Sequence, residues 1–201
     1  MTTLRIVLAE DQQMVLGAFA SLLALEPGVE VVAVAGDGQE ALTAVAEHHP
    51  DVLLTDIEMP KVSGLEVAEE LRRRGDATRV LVVTTFARSG YLRRALDAGV
   101  AGYVLKDAPV DRLVATLRRV AAGERVIDPE LAVATWAQDP LTDRELAVLR
   151  EAAGGAPNAE IAAGLHLAEG TVRNYLSTAM AKLGARNRTE ATALARERGW
   201  L

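Results

Sequence analysis

The sequence predicts two domains of different fold class: a doubly wound α/β domain with a five-stranded parallel sheet, then a small all-α domain of four helices. In the first 122 residues, short runs rich in Val and Ile alternate with amphipathic stretches of helical period. The short runs are apolar at almost every position, as expected for strands that a parallel sheet buries on both faces. From Leu141 onward the sequence contains no strand-like run, and only helical periodicity remains.

Five runs are predicted as strands: LRIVLA (4–9), VEVVAVA (29–35), DVLLT (51–55), RVLVVTT (79–85) and GYVLK (102–106). The first stretch between them predicts a helix, because apolar residues recur at helical spacing, namely Val15, Ala18, Phe19, Leu22 and Leu25. Similar stripes predict helices over 38–48, 64–74, 90–98 and 109–121, the last of which tolerates a proline in its first turn. Five strand–helix units in this order predict right-handed crossovers and a doubly wound sheet.

The predicted domain boundaries are residues 1–122 for the α/β domain, 123–139 for a linker and 140–201 for the helical domain. Two Asp-Pro dipeptides in the linker disfavour helix before each proline, and one helical turn is predicted at 129–136. Thr142 followed by Glu145 three residues later is the pattern of a capping box at a helix start. Further helices are predicted over 158–166, 169–183 and 189–198.

Composition and charge limit the classes of function. The chain of 201 residues has no cysteine, which excludes disulfides and cysteine-based zinc sites. No run approaches the roughly 18 apolar residues of a membrane span, and the N-terminal run is too short for a signal peptide, so we expect a cytoplasmic protein without a membrane partner. The net charge of −6 is uneven: residues 1–139 carry −7, whereas 140–201 carry +1 and 173–198 carry +4. This asymmetry predicts different partners for the two domains.

Polar side chains follow four of the predicted strands at the point where each ends. The residues are Glu10 and Asp11 after the first strand, Asp56 after the third, Thr84 at the end of the fourth and Lys106 at the end of the fifth. In a doubly wound sheet the carboxyl ends of the strands form the ligand-binding edge. Three clustered acids suit Mg²⁺, and a lysine with a hydroxyl suits a phosphoryl group. The pattern therefore predicts Asp56 as a nucleophile that forms an acyl phosphate.

Residues 4–122 resemble the receiver domain of two-component systems, which is a flavodoxin-like fold with strand order 2-1-3-4-5. Four motifs carry the resemblance: AED (9–11), DIEMPKVSG (56–64), VVTTFA (82–87) with Thr84, and GYVLKD (102–107) with Tyr103 and Lys106. The AED motif has Glu10 where many members of the family have aspartate.

The receiver resemblance implies phosphotransfer from a sensor histidine kinase to Asp56. It also implies Mg²⁺ held by Asp11, Asp56 and the backbone carbonyl of Glu58, with the longer Glu10 contacting the metal through water. Thr84 and Tyr103 would be the switch residues that move on phosphorylation, in a population shift between two states. Beyond slow self-dephosphorylation no enzymatic activity is expected, and the phosphate lifetime would be tuned by Glu58 and Phe86.

Residues 141–199 resemble the LuxR-type helix-turn-helix domain of the NarL/FixJ response regulators. The segments LTDRELAVL and NAEIAAGLHLAEGTVRNYLSTAMAKLGARNRTEA carry the resemblance, with the recognition helix in EGTVRNYLSTAMAKLG. One face of that helix is predicted to be core: Val172, Leu176, Ala179 and Leu183. Another face is predicted to enter the major groove, through Thr171, Arg173, Asn174 and Ser177, whereas phosphate contacts are predicted for Lys182, Arg186 and Arg188. Ser177 is shorter than the residue that many relatives place there.

Together the two resemblances imply a bacterial transcription regulator in which phosphorylation of Asp56 promotes homodimerisation and controls binding to double-stranded promoter DNA, with RNA polymerase as a further partner. The segments AEDQQM, TTFAR and RERGW are similar to the desaturase-controlling branch of the family. Two alternatives are a receiver-like protein that binds DNA constitutively and an aspartyl-phosphate phosphatase of the dehalogenase type. The phosphatase is disfavoured because Glu58 stands where a second aspartate is needed. A dinucleotide enzyme is disfavoured because AEDQQM replaces the Gly-rich turn.

Overall fold

The computed structural model describes residues 3–85, 89–128 and 140–201. Of the described residues, 3–85 and 92–128 belong to one compact unit, and 89–91 and 140–201 belong to a second. The helical turn predicted at 129–136 lies outside the described residues. In the part of the chain that the structure describes, no helix is long and apolar enough to cross a membrane.

The structure describes eleven elements within residues 3–85 and 89–128, and they alternate between strand and helix up to the last strand. They are β1 (Leu4–Ala9), α1 (Gln13–Ala24), β2 (Val29–Ala35), α2 (Gly38–His48), β3 (Val52–Thr55), α3 (Gly64–Arg74), β4 (Arg79–Thr84), α4 (Ser89–Asp97), β5 (Gly102–Leu105), α5 (Val110–Ala121) and β6 (Val126–Ile127). The predicted doubly wound α/β class is confirmed.

All strand pairs of the sheet are parallel, and the strand order is β2-β1-β3-β4-β5-β6. The predicted order 2-1-3-4-5 is therefore confirmed, and the structure adds a sixth strand at the edge. That strand consists of Val126 and Ile127, which pair with Gly102 and Tyr103 in a stretch that the sequence assigns to the linker. Two residues are too few to show a periodicity, so their β-branched side chains gave no recognisable strand pattern.

Burial explains why the central strands contain so few polar residues. All four residues of β3 are buried, as are the last four of β1 and the last five of β4. One core cluster includes Ile6, Leu54, Leu81, Val104 and Leu117. Burying a side chain of this size contributes about 1.5 to 3 kcal/mol, so the sheet edge that bears the polar residues stands on a close-packed core.

The second unit contains α6 (Asp143–Ala153), α7 (Asn158–Gly164), α8 (Glu169–Leu183) and α9 (Arg188–Glu197). The predicted capping box at the start of α6 is present: the Thr142 N–H donates to Glu145 Oε2 at 2.7 Å, and the Glu145 N–H donates to Thr142 Oγ1 at 3.4 Å. The predicted core face of α8 is confirmed, because Val172, Leu176, Ala179 and Leu183 are all buried. They pack with Leu146, Leu149, Ile161 and Ala191 in a single apolar cluster.

Candidate functional site

The backbone of the sheet brings the predicted polar residues to one edge. The parallel register aligns Ala9 with Thr55 and Thr84 with Leu105, so the residues that follow these strands emerge side by side. Backbone hydrogen bonds continue past the strand ends, from the Asp56 N–H to the Ala9 carbonyl at 2.9 Å and from the Lys106 N–H to the Thr84 carbonyl at 2.8 Å. The sheet thus holds the backbone of Asp56 and Lys106, and that of Glu10 through its N–H bond to the Ala35 carbonyl.

Three carboxylates lie together at this edge. One oxygen from each of Glu10, Asp11 and Asp56 lies within 4.8 Å of the others, with Glu10 and Asp56 buried and Asp11 exposed. Lys106 Nζ bridges the two buried acids, at 2.6 Å from Glu10 Oε2 and 3.0 Å from Asp56 Oδ2. One positive charge therefore faces two buried negative charges, with a third acid open to solvent.

The electrostatics follow from burial. Burial raises the pKa of the Asp56 carboxyl above its ordinary value, and the hydrogen bond from Lys106 only partly offsets this. Burial likewise raises the pKa of Glu10, again against the hydrogen bond from Lys106. For Lys106, burial lowers the pKa, but the hydrogen bonds and charges of Glu10 and Asp56 outweigh it, so its pKa lies above the ordinary value. Lys106 is therefore charged at neutral pH, and its single positive charge faces two acids, Glu10 and Asp56.

This donor set fits Mg²⁺. The ion prefers oxygen ligands and keeps several waters, which the exposed side of the cluster at Asp11 allows. A divalent cation would also offset the charge that Lys106 leaves unbalanced. Asp11 and Asp56 are the side chains that would hold it, with Glu10 close enough to contact its waters.

We expect Asp56→Asn to stabilise the metal-free protein, because it leaves Lys106 with a single buried acid, Glu10. Because folding raises the pKa of Asp56, its ionised form lowers the stability of the fold at neutral pH, and this loss disappears as the pH falls below the folded pKa. Urea unfolding in a chelator should therefore show a gain for the variant at pH 7 that shrinks towards acid pH. A gain that grew towards acid pH would contradict the assignment. Added Mg²⁺ should stabilise the wild type more than the variant.

The remaining residues predicted for this edge differ in their surroundings. Thr84 and Tyr103 are both buried, on the adjacent strands β4 and β5. Glu58 lies in the loop after Asp56 with an exposed side chain. Phe86 lies outside the described residues. The roles predicted for these four residues stay predictions.

The loop from Asp56 to α3 is closed by contacts that sequence reasoning missed. Thr55 Oγ1 donates to the Asp56 carbonyl at 2.9 Å, and the Gly64 N–H donates to the Ile57 carbonyl at 3.0 Å. A Cβ on Gly64 would lie 1.9 Å from the Asp56 carbonyl oxygen, so only glycine fits. The glycine at the end of the DIEMPKVSG motif is the one sequence signal of this close approach.

In the second unit, α8 presents a polar face to solvent. Arg173, Asn174 and Ser177 are exposed, and Thr171 is half-buried. The Arg173 guanidinium forms an exposed ion pair with Glu169 one turn earlier, at 3.2 Å. Exposed pairs of this spacing contribute about 0.3 to 0.5 kcal/mol, so Arg173 can exchange this partner for another at little cost.

The three residues predicted to contact phosphates have partners within the same unit. Lys182 Nζ lies 2.8 Å from Glu145 Oε2, a buried carboxylate whose pKa is lowered because its hydrogen bonds, from Lys182 first, outweigh burial. Arg186 pairs with Glu190 at 3.1 Å. Arg188 donates to the carbonyls of Ala152 and Ala156 at 2.9 and 2.7 Å, and so ties α9 to the end of α6. Their contacts with DNA stay predictions.

Comparison with known proteins gives matches in both halves of the chain. The family described as response regulator receiver domain matches residues 6–118, and the family described as bacterial regulatory proteins, luxR family, matches residues 139–195. Two Bacillus subtilis proteins are each 48% identical: the uncharacterized transcriptional regulatory protein YvfU over 98% of this chain and 100% of that protein, and the transcriptional regulatory protein DesR over 97% and 98%. The crystal structure of ChrA, a response regulator of a heme-sensing two-component system, is 32% identical, covers 100% of both chains and has a TM-score of 0.61.

Proposed function

This chain belongs to the LuxR-type response regulators and is a DNA-binding transcriptional regulator; from that premise we propose that Mg²⁺-dependent phosphorylation of Asp56 controls its binding to promoter DNA. We assign the receiver to residues 1–122, a linker to 123–139 and the DNA-binding domain to 140–201, with the linker adding Val126 and Ile127 to the receiver sheet as β6. The observation that carries the proposal is the contact of a buried carboxylate, Asp56, with the half-buried Lys106 beside two further acids.

The geometry supports the following phosphoryl transfer. An oxygen of Asp56 attacks the phosphorus of a phosphohistidine on a sensor kinase, the P–N bond breaks, and the histidine keeps the electron pair of that bond and takes up a proton. Lys106, already within 3.0 Å of Asp56, holds an oxygen of the transferred group, and its raised pKa keeps it charged. Bound Mg²⁺, held by Asp11, Asp56 and the Glu58 carbonyl, would supply neutralising charge for the incoming phosphoryl oxygens.

The switch that follows involves Thr84 and Tyr103. We propose that the Thr84 hydroxyl donates to the phosphoryl group and that Tyr103, one strand further along, repacks with it, so that phosphorylation changes the population of a receiver state that forms homodimers. Both side chains are buried on adjacent strands, which supports a packed arrangement with two discrete states. Apart from slow loss of its own phosphate, tuned by Glu58 and Phe86, we propose no enzymatic activity.

In the DNA-binding domain, α8 is proposed as the recognition helix. Arg173 and Asn174 would hydrogen-bond base edges, with Thr171 and Ser177 at the periphery of the contact. Lys182, Arg186 and Arg188 are proposed to contact phosphates. Dimers would bind two half-sites of the promoter and contact RNA polymerase there. A cytoplasmic location follows from this proposal, because the promoter DNA lies in the cytoplasm of a bacterium.

The proposal is tested by selecting DNA from a random pool with and without acetyl phosphate and Mg²⁺. We expect the selected sequences to contain two related half-sites. We also expect phosphorylation to raise the affinity by at least about tenfold, together with a shift from monomer to dimer in light scattering. Equal affinity in both states would favour the constitutive DNA-binding alternative. Selection of no sequence in either state would contradict the assignment of the DNA-binding domain.

A further inference from the structure

The loop between β3 and α3 is held from one side by the start of α2. Lys61, in this loop, lies with its Nζ 2.5 Å from Asp37 Oδ2. Asp37 is the N-cap residue of α2, is buried, and uses its other oxygen to accept the Glu40 N–H at 2.9 Å. Lys61 has the more exposed side chain, at 64%. The ion pair therefore joins a fixed, buried carboxylate to a loop at the surface.

A second contact beside the ion pair shows how closely the two segments approach. Gly38, the first residue of α2, lies against the backbone of Val62, so that a Cβ on Gly38 would be 2.1 Å from the Val62 carbonyl oxygen. Only glycine allows this approach. Consecutive residues of α2 and its cap, 37 and 38, thus contact consecutive residues of the loop, 61 and 62.

The loop is strained at the point where it is held. Lys61 has φ of 65°, a left-handed conformation that residues with a Cβ adopt rarely. The Val62 N–H donates to the Pro60 carbonyl at 2.8 Å, which closes a three-residue turn around Lys61. A γ-turn with positive φ at its centre is rare and strained, and strained backbone persists only where neighbouring contacts hold it. Asp37 and Gly38 provide those contacts.

We propose that Asp37 and Lys61 are positioning residues for the metal site. Their ion pair holds the γ-turn at Lys61, and the turn fixes the short segment back to Asp56, including the Glu58 carbonyl assigned to Mg²⁺. This inference rests on the proposed function, because it concerns the same metal and the same phosphoacceptor. Neither residue lies within the acid cluster. Their effect on metal binding is therefore transmitted through the backbone of residues 57–61.

The test compares Lys61→Met, Asp37→Asn and Lys61→Gly in the full-length protein. Methionine keeps the length of the side chain without its charge, asparagine keeps the N-cap without its charge, and glycine removes the ion pair but adopts positive φ freely. Asp76→Asn is the matched control, since Asp76 also accepts a backbone N–H, from Thr78 at 2.8 Å, in a different loop. Mg²⁺ affinity is measured from the rise of the unfolding temperature with Mg²⁺ concentration, and the turn is monitored by hydrogen exchange of the Val62 amide.

We expect Lys61→Met and Asp37→Asn to weaken Mg²⁺ binding by about tenfold, comparable with the loss of other groups that orient metal ligands. Exchange at Val62 should become faster, and the double variant should be no worse than either single one. Lys61→Gly should keep more of the affinity than Lys61→Met, and Asp76→Asn should match the wild type. Wild-type Mg²⁺ affinity in Lys61→Met and Asp37→Asn would overturn the inference.

Failure of the inference is distinguishable from failure of the proposed function. If the wild type and both variants bind Mg²⁺ equally and all accept a phosphoryl group, the positioning role is wrong and the phosphoacceptor assignment stands. If the variants bind Mg²⁺ more weakly but the wild type accepts no phosphoryl group, the positioning role stands and the phosphoacceptor assignment is wrong.

Discussion

Asp56→Asn is expected to abolish the phosphoryl adduct that the wild type acquires from acetyl phosphate and Mg²⁺. The amide cannot attack phosphorus as the carboxylate does, and the substitution leaves Lys106 in place with Glu10 at 2.6 Å. Because the variant preserves the size of the side chain, its sheet edge and core should remain those of the wild type. Intact mass spectrometry resolves the result directly, since the adduct is either present or absent.

Asp107→Asn is the matched control for this experiment, because Asp107 is an exposed aspartate adjacent to Lys106. It should acquire the adduct to the same extent as the wild type. An adduct on Asp56→Asn would place the acceptor at another residue. An unmodified wild type would remove the basis for phosphorylation as the input signal, and with it the roles proposed for Thr84 and Tyr103.

The second large effect is expected for Arg173→Ala in DNA binding. Arg173 is 69% exposed on α8, and its one described ion pair is the weak contact with Glu169, so the guanidinium is available for a base edge. Losing a bidentate contact to guanine weakens binding to the selected sequence by roughly tenfold to a hundredfold. Binding to unrelated DNA should weaken much less, so the preference for the selected sequence should shrink.

Arg150→Ala removes the same charge from an exposed position on α6 and serves as the control. Fluorescence anisotropy with the selected and a scrambled duplex gives both affinities for each variant. A loss of similar size on both duplexes for Arg173→Ala would show a phosphate contact in place of a base contact. No loss on either duplex would contradict the assignment of α8 as the recognition helix.

The elements that could be predicted are those whose burial imposes a periodic or continuous apolar pattern on the sequence. Burial of β3 on both faces requires an unbroken apolar run, and the helical stripe of Val172, Leu176 and Ala179 follows from a single buried face, so both elements were visible in the pattern. The placement of Glu10, Asp56 and Lys106 at one edge follows from parallel topology alone. Their meeting at that edge was therefore predictable once the strands were correctly assigned, whereas the ion pairs of Lys106 with Glu10 and Asp56 come from the structure.

The other features of the structure depend on contacts between segments that are distant in the sequence, and no local sequence pattern indicates such contacts. The pair of Asp37 with Lys61 joins two loops 24 residues apart. Lys61 is the only lysine or arginine between Arg5 and Arg72, but the sequence does not show which of the surrounding acids it pairs with. Arg188 is predicted to contact phosphate, and no sequence signal indicates that it also donates to the carbonyls of Ala152, in α6, and Ala156, just beyond it. A charge pattern gives the number of basic groups and does not show which of them already have partners.

If Lys182 and Arg186 contact phosphates as proposed, their present ion pairs should affect how DNA binding by this domain responds to ionic strength. The logarithm of affinity falls with the logarithm of salt concentration in proportion to the counterions that neutralised phosphates release. If Lys182 left Glu145 for a phosphate, the freed carboxylate would take up a cation from solution, and the same exchange would apply to Arg186 and Glu190. Each exchange offsets a released ion with a captured one. Residues 173–198 contain six basic residues, and the affinity should fall less steeply with salt than six phosphate contacts would predict. A larger share of the binding free energy should then come from base contacts and from the pairing of two copies.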